Sequence, residues 1–259
     1  MACIKYSCLF IAALFINIIL PENAHSVLKE KKQRIVFLIT EDPDNYEAHK
    51  TVPQFARMLD EKYGYDVTVL SGSGGHGSYS YPQMEILSKS DLLVVFARRI
   101  ALPHEQMHAI KTYIKKGKPV IGIRTANHAF TVREKVEDGF EDWPQFVADV
   151  LGCENRGYGP VEPGTDVGVV SSAVNSPILK DIPSKQWHSR GNVYRVSPLL
   201  DQKATILLTG NVKGIIEPIA WIRTAGKSKV FYTSLGYPTD FETPEFIQLI
   251  ANAIKWSLS

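Results

Sequence analysis

The chain has 259 residues, a formal net charge of +2 and three cysteines. A net charge this small argues against nucleic acid or an acidic membrane surface as the main partner, because such binding needs a strong positive field. We therefore expect no nucleic-acid partner.

The first 26 residues are typical of a secretory signal peptide. Lys5 supplies positive charge, residues 9–20 are an apolar run, and Ala24-His25-Ser26 has the pattern of a cleavage site. An apolar run of about a dozen residues is too short for a permanent membrane span, although an uncleaved anchor remains the alternative. We expect cleavage after Ser26, a basic leader over 27–33, no stable membrane insertion and a periplasmic or secreted protein.

One domain is predicted over 34–259, since roughly 230 residues suffice for a large α/β core. Cys3 and Cys8 leave with the signal peptide, so Cys153 alone remains. A single cysteine cannot form an internal disulfide, and apolar burial must hold the core together.

Short apolar runs alternate with helical patterns in the first half of this domain, as in βαβ units. Strands are predicted at 34–40, 66–70, 91–96 and 119–123. The intervening helices end at Gly64 and Gly117, the second beginning at Pro103. A further helix is predicted over 140–151.

The second half of the domain has a different pattern. Residues 152–198 are rich in Gly and Pro, which predicts an irregular excursion over the strand ends. Parallel strands are then expected to resume at 204–209, 218–223 and 229–235, followed by a last helix over 244–258. The prediction is an α/β fold with a mostly parallel central sheet.

Ligands of such sheets bind outside the carboxyl ends of the strands. That rule selects five loops as candidate site segments: 41–46, 72–81, 97–102, 124–130 and 236–242.

The loop after the fourth strand carries the most informative motif, Gly122-Ile-Arg124-Thr125-Ala126. It predicts a sharp turn of the nucleophile-elbow type, whose crowded backbone needs small residues such as Gly122 and Ala126. Arg124 cannot be a nucleophile at neutral pH, and Thr125 is a poor one without an adjacent base. Acyl-enzyme chemistry is therefore disfavoured. We interpret Arg124 as a group that binds an anion or polarises a carbonyl, with Thr125 beside it in the binding site.

Two other features near this edge have open interpretations. His128 is either a general acid/base or a helix-start histidine bonded to backbone. Arg98 and Arg99 follow a buried strand, so either one of them faces the pocket or both are surface ions.

Carboxylates follow the first strand. Glu41 and Asp42 could supply a base or a metal ligand, or could form the turn and cap the next helix.

Two motifs are weak. His104 to His108 fits the HExxH zinc pattern, but both histidines fall off the apolar stripe, beside Lys111 and Lys115, and no third ligand is evident. We therefore expect no metal. The Gly-rich loop 72–77 lacks the features of a phosphate-binding loop, so no cofactor is expected. The same sequence is equally consistent with a mobile lid whose Tyr79 and Tyr81 stack on the face of a sugar.

Several motifs together resemble the ThuA-like, or trehalose-utilisation, family over about residues 34–258. They are Leu102-Pro103-x-Glu105-Gln106, Gly117-Lys118-Pro119, Gly122-Ile-Arg124-Thr125-Ala126-x-His128-Ala129-Phe130, Val196-Ser197-Pro198-Leu199, Glu217-Pro218-x-Ala220-Trp221 and Val230-Phe231-Tyr232-Thr233-Ser234-Leu235-Gly236, with Asp240-Phe241 after the last. The resemblance implies a flavodoxin-like, class I glutamine amidotransferase-like three-layer sandwich and a role in handling sugars or glycosides, including oxidised ones.

The sequence also departs from these relatives. Amidotransferases have Cys at the position of Arg124, so glutamine hydrolysis is not expected. Many ThuA-like sequences have His where this chain has Tyr237, and a Gly-His pair in the segment matching 156–159. We therefore expect Tyr158 and Tyr237 to line a sugar pocket through stacking and hydroxyl contacts, with Asp240 beside them.

The leading hypothesis is a protein that acts on a sugar, glycoside or keto-sugar. Arg98 and Arg124 would hold the substrate oxygen, and His128 would move a proton with help from Glu41 or Asp42. The alternatives are a non-catalytic sugar-binding module and a metal-dependent hydrolase. The expected partner is a small carbohydrate, and a homo-oligomer is left open.

Overall fold

Eleven strands are present in the computed structural model, which describes residues 31–259. In chain order they are β1 (Arg34–Ile39), β2 (Asp66–Ser71), β3 (Leu92–Phe96), β4 (Leu102–Pro103), β5 (Val120–Ile123), β6 (Phe140–Glu141), β7 (Thr165–Val169), β8 (Gln186–Ser189), β9 (Thr205–Val212), β10 (Ile215–Ala225) and β11 (Ser228–Thr233). β4 and β6 pair with each other, and the other nine form one sheet in the order β2-β1-β3-β5-β11-β10-β9-β7-β8.

Five neighbouring strands, β2, β1, β3, β5 and β11, are parallel, which confirms the predicted parallel core. The expectation that all the later strands would also be parallel is wrong, because β9 and β10 run antiparallel to their neighbours. The cause lies in the connections. Lys213-Gly214 and Gly226-Lys227 each leave two residues between strands, which permits a hairpin but not a crossover.

The Gly- and Pro-rich excursion over 152–198 is more regular than predicted. β7 and β8 lie within it and extend the sheet, with β7 antiparallel to β9. The remainder is irregular, as expected.

Helices cover both faces of the sheet and confirm the three-layer architecture. They are α1 (Ala48–Tyr63), α2 (His104–Lys115) and α3 (Pro244–Leu258). Alternate residues of β1 face opposite layers. Ile35 and Phe37 belong to the apolar cluster that includes α1 and α3, whereas Val36 belongs to the cluster that includes α2.

The helix predicted over 140–151 is only partly present. Residues 140–141 form β6, and helical structure is confined to one π-helical turn over Val147–Leu151. Pro144 explains the difference, since it lacks an N–H and disfavours helical backbone at Trp143. Phe146 and Val150 are nevertheless buried, on the side that the sequence predicts.

The predicted signal peptide, 1–26, and most of the leader, 27–33, lie outside the described residues. Within 31–259, none of the helices is both long enough and apolar enough to cross a bilayer.

Candidate functional site

A cavity of about 1080 Å³ opens at the carboxyl edge of the parallel strands. Its wall combines the loops after β1, β3, β5 and β11 with residues from the segment 158–194. A second cavity of about 480 Å³ adjoins it, and the two share Arg99, His128, Arg133 and Tyr158. The position agrees with the ligand site expected for an open parallel sheet.

The turn after β5 has the strained geometry that the sequence predicts. Arg124 has φ 45°, in the left-handed region, and begins a single 3₁₀ turn that ends at His128. A Cβ atom at Gly122 would lie 3.0 Å from the Tyr232 ring and 3.2 Å from the Ala126 side chain. The predicted crowding of the elbow is therefore confirmed, because a side chain at position 122 would make its neighbours shift.

Left-handed backbone recurs around this cavity. Tyr46 and Glu47 have φ 52° and Arg99 has φ 49°, and all three line the cavity. Such conformations cost of order 1–3 kcal/mol each in non-glycine residues and cluster at functional sites. Strain thus supports this edge as the site.

The Arg124 side chain is turned inward beneath the cavity and is 1% exposed. Its Nη1 donates to the Ser234 carbonyl oxygen at 2.7 Å, and its Nη2 donates to Asn192 Oδ1 at 2.7 Å. The guanidinium contacts Tyr46 and Tyr194, which line the cavity, whereas Arg124 itself does not. This placement makes Arg124 a support for the cavity floor and gives no direct contact for a substrate oxygen.

His128 lies in the cavity wall and is 5% exposed. Its Nδ1 contacts Asn127 Oδ1 and lies 3.2 Å from Asn155 Nδ2. Among the residues that the structure describes, nothing hydrogen-bonds its Nε2, which leaves that atom for a ligand. The ring is therefore held by amide side chains and not by backbone.

The surroundings of His128 favour its neutral form. Burial, and after it four guanidinium groups, hold the pKa of His128 well below its ordinary value; they belong to Arg99, Arg98, Arg133 and Arg124. A neutral ring can accept a proton or a hydrogen bond at pH 7, but little imidazolium is present to act as an acid.

Arg98 and Arg99 both line the cavity, so they are not simply two surface ions. Arg98 binds Asp42 at 2.7 Å and Asp44 at 3.0 Å. Burial raises the pKa of Asp42, but the Asp44 N–H, His76 and Arg98 outweigh it and lower that pKa overall. Asp42 does not line the cavity and acts by positioning Arg98.

Three other predicted site residues lie outside the cavity lining. Glu41 is exposed and accepts from Ser71 Oγ at 3.0 Å, so the structure does not bring it near His128 as a helper base. Thr125 is buried and donates to Asn45 Oδ1 at 2.6 Å. The buried Asp240 accepts from the backbone N–H of Gly236 and of Tyr237, at 2.8 and 2.9 Å, and so fixes the Tyr237 loop.

Tyr158 and Tyr237 line the cavity, as the sequence predicts. Tyr158 is 38% exposed, accepts from Asn155 Nδ2 at 3.1 Å and packs edge-on against Tyr194 at 4.8 Å. Tyr237 lies 5.9 Å from Tyr46, ring centroid to ring centroid.

Several lining residues are missed by the sequence reasoning. The clearest come from the excursion: His188, Arg190, Asn192 and Tyr194. They occupy every second position of residues 188–194, and a period of two in polar and aromatic side chains, in a segment predicted to cover the strand ends, could have identified them.

The Gly-rich loop is not a lid that carries tyrosines to a ligand. Tyr79 and Tyr81 are buried in the core, 5.3 Å apart, and the Tyr79 hydroxyl accepts from the Gly72 N–H at 3.1 Å. Ser73 and Ser80 exchange backbone hydrogen bonds across the loop. The proposed stacking of Tyr79 and Tyr81 on a sugar is therefore wrong.

The HExxH motif lies on α2 with His104 and His108 exposed, off the buried stripe as predicted. Over 31–259, no cluster of three or more His, Cys, Asp or Glu side chains is placed to hold a metal. Cys153 is buried, which raises its pKa to about 12 and makes it a poor thiolate nucleophile.

Fold and site together define an α/β sandwich with a tyrosine- and arginine-lined cavity built over a strained elbow. The chain belongs to the trehalose-utilisation family ThuA, whose model matches residues 35–257.

Solved structures of similar proteins agree with this fold. A ThuA-like protein from Bacteroides uniformis is 16% identical with a TM-score of 0.67, covering 93% of this chain and 96% of its own. One from Parabacteroides merdae is 14% identical with a TM-score of 0.62, covering 88% and 91%. A cytoplasmic protein from Salmonella typhimurium is 15% identical with a TM-score of 0.59, covering 86% and 99%. No curated protein matches the sequence.

Proposed function

We propose that this protein binds a sugar, glycoside or keto-sugar in the cavity at the carboxyl edge of the sheet. The observation that carries the proposal is the set of tyrosines that line one cavity together with His128: Tyr46, Tyr158 and Tyr237, with the buried Tyr194 packed edge-on against Tyr158. Aromatic faces stack on the apolar faces of sugar rings, and their hydroxyls exchange hydrogen bonds with sugar hydroxyls. Membership of a trehalose-utilisation family supports the same substrate class.

The size of the cavity fits this ligand class. At about 1080 Å³ it lies at the upper end of small-molecule sites, with room for a disaccharide. Glutamine amidotransfer is not part of the proposal, because Arg124 occupies the elbow position where a nucleophile would be needed.

A chemical step is proposed for keto-sugars. Neutral His128 takes a proton from the carbon beside the carbonyl, and the electron pair moves onto the carbonyl oxygen to give an enediolate. That oxygen accepts a hydrogen bond from Arg98, which lines the cavity and whose charge Asp42 and Asp44 offset. Arg124 contributes by positioning the tyrosines. The burial of Arg124 and the lowered pKa of His128 equally favour a second candidate, a module that holds sugar without converting it.

Calorimetric titration with trehalose, glucose and a keto-glucoside tests the binding. We expect at least one to bind, and Tyr158→Ala to weaken it about tenfold because a stacking face is lost. Tyr63→Ala is the matched control, since Tyr63 is 37% exposed but lies outside the cavity.

Two results would count against these proposals. If no sugar binds, or if Tyr158→Ala and Tyr63→Ala behave alike, the cavity is not a sugar site. If sugar binds but NMR detects no change in the keto-glucoside over days, the binding module replaces the catalytic proposal.

A further inference from the structure

The charges lining the large cavity are unequal. Four arginines contribute to its wall, namely Arg98, Arg99, Arg133 and Arg190, against three carboxylates, namely Asp44, Glu47 and Glu162. The ion pairs that these groups form decide how much positive charge remains to bind a ligand.

Two of the carboxylates are already neutralised by protein cations. Asp44 binds Arg98 at 3.0 Å, and Glu47 binds Lys50 at 2.8 Å. Arg98 is itself neutralised, because it also binds Asp42 at 2.7 Å. Glu162 forms no ion pair within the described part of the chain.

Three arginines keep their charge available. Within 31–259, no carboxylate lies within 4.0 Å of the side chains of Arg99, Arg133 or Arg190. In the described part of the chain, the Arg99 guanidinium donates one hydrogen bond, to the Thr131 carbonyl oxygen at 3.3 Å. Three uncompensated guanidiniums thus share the cavity with one uncompensated carboxylate, and the wall is cationic.

Arg99 and Arg133 occupy a particular place in this wall. Both line the large cavity and the adjoining smaller one, beside His128 and Tyr158. Arg99 is buried and held in left-handed backbone, whereas Arg133 is exposed at the rim. A buried guanidinium and an exposed one in the wall of the same cavity suit the capture of an anion that enters from solvent.

We propose that the ligand carries an anionic carboxylate or phosphate group, which Arg99 and Arg133 bind where the two cavities meet. Guanidinium groups bind both anions through paired N–H donors, whereas a neutral sugar would leave these charges unused. The inference deepens the proposed function, on which it rests, by naming the class of ligand as a sugar acid or a sugar phosphate. His128 lines both cavities with these two arginines and so lies beside the proposed anion site.

The experiment titrates the full protein with glucose, glucuronate and glucose 6-phosphate at low and high salt. At low salt we expect at least one anionic sugar to bind about tenfold or more tightly than glucose. Added salt should reduce that preference, since part of the attraction is screened. The two anionic sugars distinguish a carboxylate site from a phosphate site.

Substitutions of Arg133, at the rim, test whether this side chain causes the preference for an anionic sugar over glucose. Arg133→Gln should reduce the preference for the anionic sugar about tenfold, and Arg133→Lys should retain part of it, because the charge remains but the paired donors are lost. Arg57→Gln, on the exposed side of α1, is the matched control and should leave binding unchanged. Arg133 is exposed, so these substitutions leave the core intact.

The outcomes separate the two proposals. If glucose binds as tightly as both anionic sugars, or if Arg133→Gln leaves the preference unchanged, the anion site is overturned while sugar binding stands. If no sugar binds, the proposed function fails and inorganic phosphate becomes the probe. Phosphate binding that Arg133→Gln weakens would then support the anion site, and its absence would overturn it.

Discussion

The guanidinium carbon of Arg124 lies 3.9 Å from the centre of the Tyr46 ring. This stacking joins the elbow after β5 to the loop after β1, and the same guanidinium is bonded to Ser234 and Asn192. One buried side chain therefore connects four separate parts of the cavity wall. This role depends on the shape of the guanidinium as well as on its charge.

Replacing Arg124 with lysine tests this role. The Arg124→Lys ammonium cannot stack on Tyr46 while it also reaches Ser234 and Asn192, so we expect the free energy of unfolding to fall by about 2–4 kcal/mol. Urea denaturation measures the change. Arg57→Lys, on the exposed surface of α1, should change stability by less than about 0.5 kcal/mol. Equal stability of the two variants would show that Arg124 is not a support.

Gly236, directly before Tyr237, provides a second test of the cavity floor. It has φ 119°, and an added Cβ would lie 2.7 Å from Ile123 Cγ2. Gly236→Ala should therefore incur both backbone strain and a steric clash, about 2–4 kcal/mol in total. Gly157→Ala is the matched control, because Gly157 has φ 103° but nothing within 4 Å of its Cβ position.

The difference between these two alanine variants isolates the clash. We expect Gly236→Ala to unfold at a lower urea concentration, by at least about 1 kcal/mol relative to Gly157→Ala. Indistinguishable midpoints would mean that the clash between the added methyl group at position 236 and Ile123 is relieved without a loss of stability.

The sequence predicts the parallel core well, because strands buried on both faces are continuous apolar runs, such as residues 92–96. It does not predict strand direction beyond residue 200, since an apolar run carries no direction. The turns Lys213-Gly214 and Gly226-Lys227 contain that information, because a two-residue connection favours a hairpin and therefore antiparallel strands.

The site is predictable to a smaller extent, for a related physical reason. The elbow at Arg124 is a local backbone feature, and its motif predicts it correctly. The direction of the Arg124 side chain depends on Asn192 and Tyr194, which follow β8 and are placed by the pairing of β8 with β7 and of β7 with β9. Local sequence cannot specify a long-range contact of this kind, so it predicts little of the cavity wall over 158–194.

The third prediction concerns Glu217, the first residue of the Glu-Pro-x-Ala-Trp motif. Its buried Oε2 accepts from the backbone N–H of Val196 and of Ser197, at 3.1 and 2.8 Å. Glu217→Ala would leave these donors without a partner, and we expect a loss of about 2–4 kcal/mol in urea denaturation. Glu217→Gln keeps an oxygen that can accept from them and should lose less than half as much. Equal losses in the two variants would contradict this account.

The last prediction concerns the pH dependence of stability. The folded state lowers the pKa of His128 below its ordinary value of 6.5, through burial and then the nearby Arg99, Arg98, Arg133 and Arg124. The unfolded chain therefore binds a proton at this residue at a higher pH than the folded chain does. The contribution of neutral His128 to stability is complete above about pH 6.5 and is lost as the pH falls below it, by at most about 1.4 kcal/mol per pH unit.

Urea denaturation at pH 7.5, 6.5 and 5.5 measures this slope. His128→Gln should flatten the decline between pH 6.5 and 5.5, because the variant has no ring to protonate in the unfolded state. His108→Gln should leave the decline unchanged, since His108 is exposed on α2. In parallel NMR spectra, the His128 ring signals should not shift between pH 8 and 6 in the folded protein. A ring that titrates near pH 6.5, or a His128→Gln profile identical to that of the parent protein, would show that burial and the arginines around the cavity do not hold this imidazole neutral.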